Sequence, residues 1–439
     1  MLEGIQNATR IPELRRRLLF TFAMLAVYRV GVAIPTPGID RQAFAALFER
    51  LGDVIDLVNL FSGGALEQFS IFTLGIMPYI SVSIILQLLT MVFPYLERLS
   101  KEGEAGRRKI TQYTRYGTVV LALVQGLLIS FGLEASRAAE GVPVVLEPGW
   151  RFRLLAAVSL TAGTAFIMWL GEQITERGIG NGISLIIFAG IVTRLPSAIA
   201  SSYQLVAAGE LGVLTILFVV ALMVAVVGFI IFVERGQRRI PVQYAKRVVG
   251  RKVYGGQGQH LPLRVNTAGV IPPIFASSIL LFPATMAQFL PYSWAQTAAG
   301  YMTDTQLLYN VLYVGFIVFF CYFYTSVVLN SMDLAENMKK SGGYIPGIRP
   351  GQKTAEFIDR VLSRITLSGA IYLSVVSLLP TLLVRQFNVP FFFGGTALLI
   401  VVGVGLDTVS QIETHMITRS YEGFMRRGRL RGRLGVIKR

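Results

Sequence analysis

The sequence predicts an all-α, polytopic membrane protein with ten transmembrane helices. The first observation behind this prediction is composition: 53% of the 439 residues are hydrophobic and only 15% are charged, with a mean hydropathy of +0.58. Soluble domains carry nearer a quarter charged residues, so most of this chain is expected to be solvated by lipid. The second observation is the length of the apolar runs, and the third is the placement of the basic residues.

Ten apolar runs are long enough to cross a bilayer as helices, each of which needs about 20 residues. A helix satisfies its own backbone hydrogen bonds within lipid, and these runs are too long for barrel strands. The first run leads into IPTPGID rather than a small-residue cleavage site, so we expect a retained span and not a signal peptide. The predicted spans cover residues 18–34, 72–93, 117–133, 154–171, 182–200, 212–233, 268–290, 307–330, 366–384 and 389–410.

The basic residues predict the orientation of these spans. With a cytoplasmic N-terminus, 33 of the 41 Lys and Arg residues fall on cytoplasmic segments and only 6 on external ones. Cytoplasmic loops of membrane proteins carry such an excess, so both termini are predicted to be cytoplasmic. The net charge of +16 also implies a negatively charged partner, such as nucleic acid, anionic lipid or an acidic protein face.

Two predicted cytoplasmic loops are longer than a connection requires. In residues 234–267, alternating apolar and polar positions flank a Gly-rich turn, which predicts a β-hairpin. Residues 331–365 include the Gly- and Pro-punctuated basic tip KKSGGYIPGIRPGQKT. Ordinary positive-inside charge and a docking platform both explain these loops, and their length favours docking. The basic tail 411–439 is expected to be flexible and to touch anionic lipid or RNA.

The motifs of enzymes and metal sites are missing from the sequence. It contains no P-loop, no HExxH and no GxSxG, so we predict no catalytic residues and no cofactor. One cysteine, Cys321, and two histidines, His260 and His415, do not make a zinc site. The GIGNG motif at 178–182 lacks dinucleotide-loop spacing and predicts a tight turn before a helix capped by Asn181 or Ser184.

An ion-coupled secondary transporter is the main alternative, and it needs titratable groups near the middle of the bilayer. Glu172 and Asp407 both fall near predicted cytoplasmic ends of spans. Arg29 is the one charge well inside a span, where it either meets a partner or reaches toward the interface. The acid-poor spans argue against proton coupling, and an intramembrane enzyme lacks a nucleophile or metal motif.

One stretch, LVNLFSGGALEQFSIF at 57–72, is too short and too broken to cross the membrane. Other predicted spans are interrupted as well. The interruptions are Pro78, the pair Pro272 and Pro273, and the glycines of FFFGGTALL. Plain kinks and helices bending around a cavity both explain such interruptions. Isoleucines close to them could form a dewetting constriction, although spacing alone does not separate them from lipid-facing isoleucines.

Six long motifs make the chain resemble the SecY family, whose members form the centre of the bacterial protein-conducting Sec channel. The resemblance covers about residues 15–425 in matching order. It is carried by NLFSGGALEQFSIFTLGIMPYISVSIILQLL, KEGEAGRRKITQYTRYGT, MWLGEQITERGIGNGISLIIFAGIV, FVERGQRRIPVQYAKR, NTAGVIPPIFASSILLFPAT and KKSGGYIPGIRPG.

The resemblance implies two pseudo-symmetric halves, spans 1–5 in residues 18–200 and spans 6–10 in residues 212–410, joined by an external hinge loop at 201–211. It implies a re-entrant plug helix at about residues 60–70, which closes an hourglass pore between the halves. The plug residues would be Leu60, Phe61, Ser62, Gly63, Gly64, Ala65 and Leu66.

Further site residues follow from the same resemblance. It implies a pore ring, a lateral gate between spans two and seven, and partner docking on the two long cytoplasmic loops. Pro273 and Leu185 depart from the family pattern and bear on the bend of span seven and on ring membership. The implied residues are Ile76, Ile80, Ile183, Ile187, Ile274 and Ile400 for the ring, Ser81, Gln87 and Phe282 for the gate, and Arg239, Arg247, Arg251 and Arg349 for docking.

The implied function is passage of unfolded secretory polypeptides across the plasma membrane and lateral release of their transmembrane segments. The implied partners are the small subunits SecE and SecG, the SecA motor ATPase, the ribosome, signal sequences and nascent chains, and anionic lipids. Energy would come from these partners, because the chain itself carries no enzyme motif.

Overall fold

The computed structural model describes residues 11–48, 59, 62–135, 143–209, 212–244, 247–249, 252–254, 259–289, 307–387 and 395–434. These residues form fourteen helices and five short strands. In chain order they are α1 (Pro12–Val32), α2 (Arg41–Phe48), α3 (Met77–Val92), α4 (Pro94–Lys101), α5 (Glu104–Ala135), α6 (Trp150–Arg177), α7 (Gly182–Val192), α8 (Leu195–Ala207), α9 (Val213–Glu234), β1 (Gln237–Tyr244), β2 (Arg247–Val249), β3 (Lys252–Tyr254), β4 (Gln259–Arg264), α10 (Ile271–Phe289), α11 (Leu307–Val328), α12 (Ser331–Lys340), β5 (Gly343–Tyr344), α13 (Gln352–Phe387) and α14 (Gly395–Leu434).

All ten predicted spans overlap helices, namely α1, α3, α5, α6, α7 with α8, α9, α10, α11, α13 and α14. Within the described ranges, seven helices are long and apolar enough to cross a membrane, counting α7 with α8 as one and α11 with α12 as another. The pair α3 and α4, bent by 100°, would make an eighth. The helix α1 carries four arginines, which lowers its hydropathy.

Two helices begin later than the apolar runs that predict them, and proline marks both starts. Helix α3 begins at Met77 because Gly75 takes a left-handed φ of +55° and Pro78 then occupies the first turn. Helix α10 begins at Ile271, so Pro272 and Pro273 lie in its first turn instead of interrupting it. Proline is tolerated there because the first backbone N–H groups of a helix have no intrahelical acceptor.

Three boundaries differ from those the sequence suggests. Helix α8 continues to Ala207, so residues 201–207 are helical and not part of an external loop. Helix α14 continues to Leu434, so residues 411–434 are helical where a flexible tail is expected. Leu, Met, Arg and Glu in this segment all favour helix, and that preference outweighs the glycines. Arg194, assigned to a span from the sequence, lies instead in the turn between α7 and α8.

The chain divides into two compact units. The first comprises residues 1–195, 289–291 and 403–439, and the second comprises residues 196–288 and 292–402. The sequence places the boundary between its two predicted halves at 201–211, close to the first of these divisions. The two symmetric halves themselves stay a prediction.

The first unit is built around the packing of α5 on α6. Arg115 contacts Glu172 at 2.8 Å near one end of the pair, and the guanidinium Nε of Arg153 donates to Glu134 at 2.8 Å near the other. These contacts require the two helices to run antiparallel. Gly126 faces the backbone of Ala157, where an added Cβ would lie 3.1 Å from the Ala157 Cα. A small residue at this crossing lets the helices approach closely.

The second unit contains a small sheet that packs against α12 and α13. Strand β1 pairs antiparallel with β4 over Gln237–Val242, which confirms the predicted hairpin, and β1 also pairs antiparallel with β5. The strand order is therefore β4-β1-β5, so one sheet joins the two long loops 234–267 and 331–365. An apolar core lies beneath it, formed by Ile240, Val242, Leu263, Met338, Ile345, Ile358 and Leu362.

The turn before α7 has the structure that the sequence predicts. The side-chain oxygen of Asn181 accepts hydrogen bonds from the N–H groups of Ile183 and Ser184, at 3.1 and 3.4 Å. Asn330 caps α12 in the same way. Such caps satisfy N–H groups that a helix cannot pair internally.

We expect Asn181→Ala to lower the free energy of unfolding by about 1 kcal/mol, because the capping bonds are lost. Thermal unfolding of the purified protein in detergent measures the change. Asn337→Ala is the matched control, because Asn337 is an exposed residue inside α12 with no capping role. Equal stability of the two variants would contradict the assigned role of Asn181.

Candidate functional site

The plug segment, residues 60–70, is the part of the predicted site that the structure describes best. Leu60 and Phe61 lie outside the described residues. Ser62 is helical, and from Gly63 onward the chain runs through turns until α3 begins at Met77. Gly63 and Gly64 have φ values of +67° and +88°, a left-handed conformation that is open to glycine and costly for other residues.

The plug segment is folded on itself by the buried side chain of Asn59. The Asn59 Oδ1 accepts from the Glu67 N–H at 3.2 Å, and its Nδ2 donates to the Glu67 Oε2 at 3.2 Å. The Ser62 hydroxyl donates to the Asn59 carbonyl at 3.1 Å and accepts from the Leu66 N–H at 3.3 Å. These bonds give a turn-rich backbone the partners that a helix would supply internally.

Two side chains of α1 hold the plug segment by its backbone. The Tyr28 hydroxyl donates to the Ser62 carbonyl at 2.9 Å, and the Arg29 Nη1 donates to the Gly63 carbonyl at 2.8 Å. Tyr28 is buried and Arg29 is half-buried. Of the two explanations that the sequence leaves open for Arg29, the structure therefore supports a polar partner.

The other side of the plug segment faces the end of α7. A Cβ on Gly63 would lie 2.8 Å from the Gly190 Cα and 2.8 Å from the Tyr28 hydroxyl, so only glycine fits at that point. The Arg194 Nη2 lies 3.1 Å from the Glu67 Oε2 and forms an ion pair with it. Residues from both α1 and the α7–α8 turn thus contact the plug segment.

Aromatic packing fixes the exit of the segment toward α3. The Phe72 ring stacks on Tyr28 at a centroid distance of 5.9 Å and on Phe166 of α6 at 6.0 Å. Phe69, with a φ of 41°, packs edge-on against Phe44 at 4.9 Å. The Phe69 carbonyl also accepts from the Thr36 N–H at 2.9 Å.

The isoleucines of the predicted pore ring are almost all buried, but on different helices. Ile76 directly precedes α3 and Ile80 is on it, Ile183 and Ile187 are on α7, Ile274 is on α10, and Ile400 is on α14. Ile183 is half-buried, and the others are 6% exposed or less. Leu185, a departure from the family pattern, is buried on α7 next to Gly180. Burial agrees with an apolar constriction but does not establish one, so ring membership stays a prediction.

The predicted lateral gate is described in part. Ser81 and Gln87 are half-buried on α3, and the Gln87 carbonyl accepts from the Thr90 hydroxyl at 2.6 Å. Phe282 belongs to α10, and its side chain lies outside the described part of the structure.

The predicted docking arginines lie on or beside the sheet of the second unit. Arg239 is exposed on β1, and Arg349 is exposed on the tip between β5 and α13. The Arg349 carbonyl accepts from the Thr354 hydroxyl at 3.0 Å, which fixes the tip against the start of α13. Arg247 lies on β2 with its side chain undescribed, and Arg251 lies outside the described residues. The sheet therefore brings Arg239 and the loop of Arg349 into one module.

The GIGNG turn is not free to bind an anion, because side chains already occupy its N–H groups. The N–H of Ile179 donates to the Thr21 hydroxyl at 3.1 Å, that of Gly180 to the Gln411 Oε1 at 2.9 Å, and that of Gly182 to the Thr175 hydroxyl at 2.9 Å. The motif joins α1, α6 and α14 within the first unit. Across the described ranges, no cluster of His, Cys, Asp and Glu could hold a metal ion.

Comparison with known proteins identifies the family. The family model described as SecY matches residues 70–409. The Protein translocase subunit SecY of Escherichia coli (strain K12) is 54% identical over 427 residues, which cover 96% of each chain. The chain belongs to the SecY family.

Solved structures agree with this family in their fold. One is a structure of a SecY protein whose plug domain stabilises the closed state of the translocation channel and maintains a membrane seal. It matches with a TM-score of 0.66 at 17% identity, covering 94% of this chain and 97% of that one. An endoplasmic-reticulum channel from a canine ribosome–channel complex matches with a TM-score of 0.62 at 15% identity, covering 94% and 97%. The ten-span membrane fold predicted from the sequence is thereby confirmed.

Several residues of this SecY-family site were not predictable as such. The ion pair of Glu67 with Arg194 joins residues 127 positions apart, and the contact of Arg29 with Gly63 joins residues 34 apart. The only sequence signals were that Arg29 interrupts an apolar run and that Glu67 lies in a segment too short to span. Neither signal identifies the residue that Arg29 or Glu67 contacts.

We expect Gly63→Ala to loosen the plug segment far more than Gly64→Ala. Both glycines are left-handed, but a Cβ meets nothing within 4 Å at Gly64, whereas at Gly63 it meets Gly190 and Tyr28. Overpacking of this kind costs about 1–3 kcal/mol beyond the shared backbone strain. Hydrogen exchange of the Leu66 and Phe69 N–H groups should become about tenfold faster in Gly63→Ala than in Gly64→Ala. Similar rates would mean that the close approach does not hold the segment.

Proposed function

We propose that this chain forms the pore of a protein-conducting channel, which passes unfolded secretory polypeptides across the plasma membrane and releases their transmembrane segments sideways into lipid. As a member of the SecY family it is a protein translocase subunit and not an enzyme. The observation that carries the detailed proposal is the plug segment, whose residues 63–70 are non-helical and which receives polar contacts from α1 and from the α7–α8 turn.

The plug segment is suited to closing a pore reversibly. Its described contacts to other elements include two hydrogen bonds from α1 and one ion pair from the α7–α8 turn. A hydrogen bond in a protein contributes about 0.5–1.5 kcal/mol, and a partly exposed ion pair about 0.2–1 kcal/mol. Together these three polar contacts contribute a few kcal/mol, a contribution that a ligand preferring the open state can overcome. That ligand is a signal sequence.

The predicted ring would seal the open channel around a passing chain. Isoleucine side chains are apolar, so a narrow ring of them excludes water and ions by dewetting. In this proposal the ring consists of Ile76, Ile80, Ile183, Ile187, Ile274 and Ile400. Passenger segments that are apolar enough would leave through the gate at Ser81, Gln87 and Phe282, because burial in lipid removes their surface from water.

The sheet module of the second unit is proposed as the docking surface for the partner that supplies energy. Its exposed arginines, with the cytoplasmic orientation given by the basic residues, favour an acidic or nucleic-acid surface. The ribosome fits this description, and one structural neighbour comes from a ribosome–channel complex. The SecA motor ATPase would use the same surface, while SecE and SecG would complete the channel within the membrane. Anionic lipid would contact the basic end of α14.

A secondary transporter is the alternative, and one observation weighs against it. Glu172, an acid close to the end of a span, already pairs with Arg115 at 2.8 Å instead of facing an open site. Among the described residues there is no metal-type cluster that would serve coupling ions.

The function is tested in liposomes that contain the purified protein with its small partner subunits. With a motor ATPase and ATP, a secretory precursor should become protected from external protease. Deletion of residues 60–70 should preserve this transport but raise the ion leak of the resting membrane, because the seal is gone. A deletion of residues 429–439 removes the same number of residues from the basic tail and should not raise the leak.

Two results would overturn the proposal. Uptake of a small solute along an ion gradient, without precursor transport, would support the transporter. Loss of transport without any leak in the 60–70 deletion would return that segment to a purely structural role.

For docking, we expect Arg349→Glu to reduce motor-driven transport at least severalfold, because a negative charge at the tip repels an acidic partner surface. Arg364→Glu is the control. Arg364 is also exposed, but it lies on α13 about 18 Å from the first residue of that helix, Gln352, which is the end next to the tip. Both variants should unfold at the same temperature. Equal transport by the two variants would mean that the tip carries ordinary positive-inside charge.

A further inference from the structure

We propose that Asn266 is a positioning residue that couples the sheet module of the second unit to α10. Its side chain ties the base of the β1–β4 hairpin to the turn from which α10 begins. This inference rests on the proposed function, because it names the residue through which the movement of a docked partner reaches the pore. Binding of the partner itself is assigned to other residues.

The hairpin joins its two flanking helices through a neck, residues 234–236 and 265–270. The first stretch links α9 to β1, and the second links β4 to α10. The Val265 N–H donates to the Gly236 carbonyl at 2.9 Å, so backbone pairing continues past the ends of the strands and into the neck. The neck is therefore the covalent route from the hairpin to α10.

The side chain of Asn266 closes this neck. Its Nδ2 donates to the Glu234 Oε1 at 2.7 Å and to the Gly269 carbonyl at 2.9 Å. Asn266 is 5% exposed, so water does not compete freely for these bonds. One amide group thus holds the last residue of α9 and the turn before α10 at the same time.

Helix α13 packs directly against the neck. A Cβ on Gly369 would lie 2.9 Å from the Val265 carbonyl oxygen, so the backbones of α13 and the neck are in close contact. Tyr372, about one turn further along α13, packs edge-on against Phe229 of α9 at a ring-centroid distance of 5.9 Å. The neck therefore has little room to rotate, and Asn266 keeps both of its acceptors.

The chain between Asn266 and the predicted ring is short and stiff. Gly269 has a φ of +62°, and its carbonyl is held by Asn266. Pro272 and Pro273 follow in the first turn of α10, where their rings fix φ. Ile274 comes next and is 6% exposed. A displacement of the neck therefore moves the start of α10, and with it a residue of the proposed ring.

Docking and coupling are thus assigned to different residues. The exposed Arg239 on β1 would bind the partner, and the buried Asn266 would determine whether movement of the hairpin reaches α10. Without the amide bonds the hairpin would still pack on its own core, which includes Ile240 and Leu263, and would still bind. Its movement would then bend the neck instead of displacing α10.

Motor-driven transport in proteoliposomes that hold the channel and its small subunits tests this coupling. Asn266→Asp keeps the shape of the side chain, but it loses both donated bonds and places a second carboxylate beside Glu234. We expect the ATP hydrolysed per transported precursor to rise about three- to tenfold, the range that loss of a buried hydrogen bond produces. The affinity of the motor ATPase for the channel should stay the same, whereas a residue that only supports the fold would lower binding and transport together.

Glu234 provides a second pair of variants, which tests the same bond without adding a buried charge. Glu234→Gln retains an oxygen that accepts from the Asn266 Nδ2 and should use ATP like the unaltered chain. Glu234→Ala removes the acceptor and should raise ATP use as Asn266→Asp does. Asn337→Asp is the matched control for charge, because Asn337 is exposed on α12 in the same unit, and it should change neither ATP use nor affinity.

The outcomes separate the coupling from the proposed function. If the unaltered chain transports the precursor but Glu234→Ala and Glu234→Gln use ATP equally well, the coupling is wrong and the channel stands. A parallel loss of motor affinity and transport in Asn266→Asp also overturns the coupling, because the neck then only supports the hairpin. If the unaltered chain transports no precursor, the proposed function fails and the coupling fails with it.

Discussion

The structure depends on one constraint: backbone polar groups away from water need partners, and a plug segment built of turns cannot supply them all internally. Helices meet this need by themselves, which is why non-helical backbone at membrane depth occurs only where protein or a water-filled cavity surrounds it. Here Asn59, Tyr28 and Arg29 provide bonds to the segment, and the side chain of Thr73 donates to the Ser70 carbonyl at 2.6 Å. An arginine inside α1, unfavourable in lipid by itself, is retained because it has this task.

In the proposed function, the hydrogen bonds from outside the segment also allow it to leave its site. A helix keeps its internal hydrogen bonds when it moves. This segment would instead lose its hydrogen bonds from α1 and its ion pair with Arg194, and its polar groups would need new partners. The polar part of this cost is limited because these bonds are few, and because the carboxylate of Glu67 is already partly exposed. Aromatic packing of Phe72 between Tyr28 and Phe166 fixes the exit of the segment, while the polar contacts to α1 and Arg194 are made by residues 62–67.

Sequence patterns were sufficient for local structure and insufficient for pairing at a distance. Helix positions, the hairpin of β1 and β4, and the cap at Asn181 depend on neighbouring residues, so apolar runs and turn residues predict them. Sequence patterns do not predict a contact where a residue could reach several different partners. Arg29 has two possible roles, to meet a partner or to reach the interface. Arg194 falls inside one apolar run, 182–200, whose length hides the break after Val192 even though Pro196 lies in the first turn of α8. Strand β5 has two residues, too short for any strand pattern to reveal.

The pairing of β5 with β1 has a consequence for how this protein can vary. Gly343 and Tyr344 hydrogen-bond to a strand about 100 residues earlier, and Met338, Ile345 and Ile358 fill a core shared with Ile240 and Leu263. The two loops are therefore one folded object encoded in two separate stretches of the gene. If one loop were replaced by that of a relative, it would supply only part of the apolar core. Adaptation to a new partner would therefore require compatible changes in both stretches. The two loops proposed as docking points are therefore inherited as a single unit.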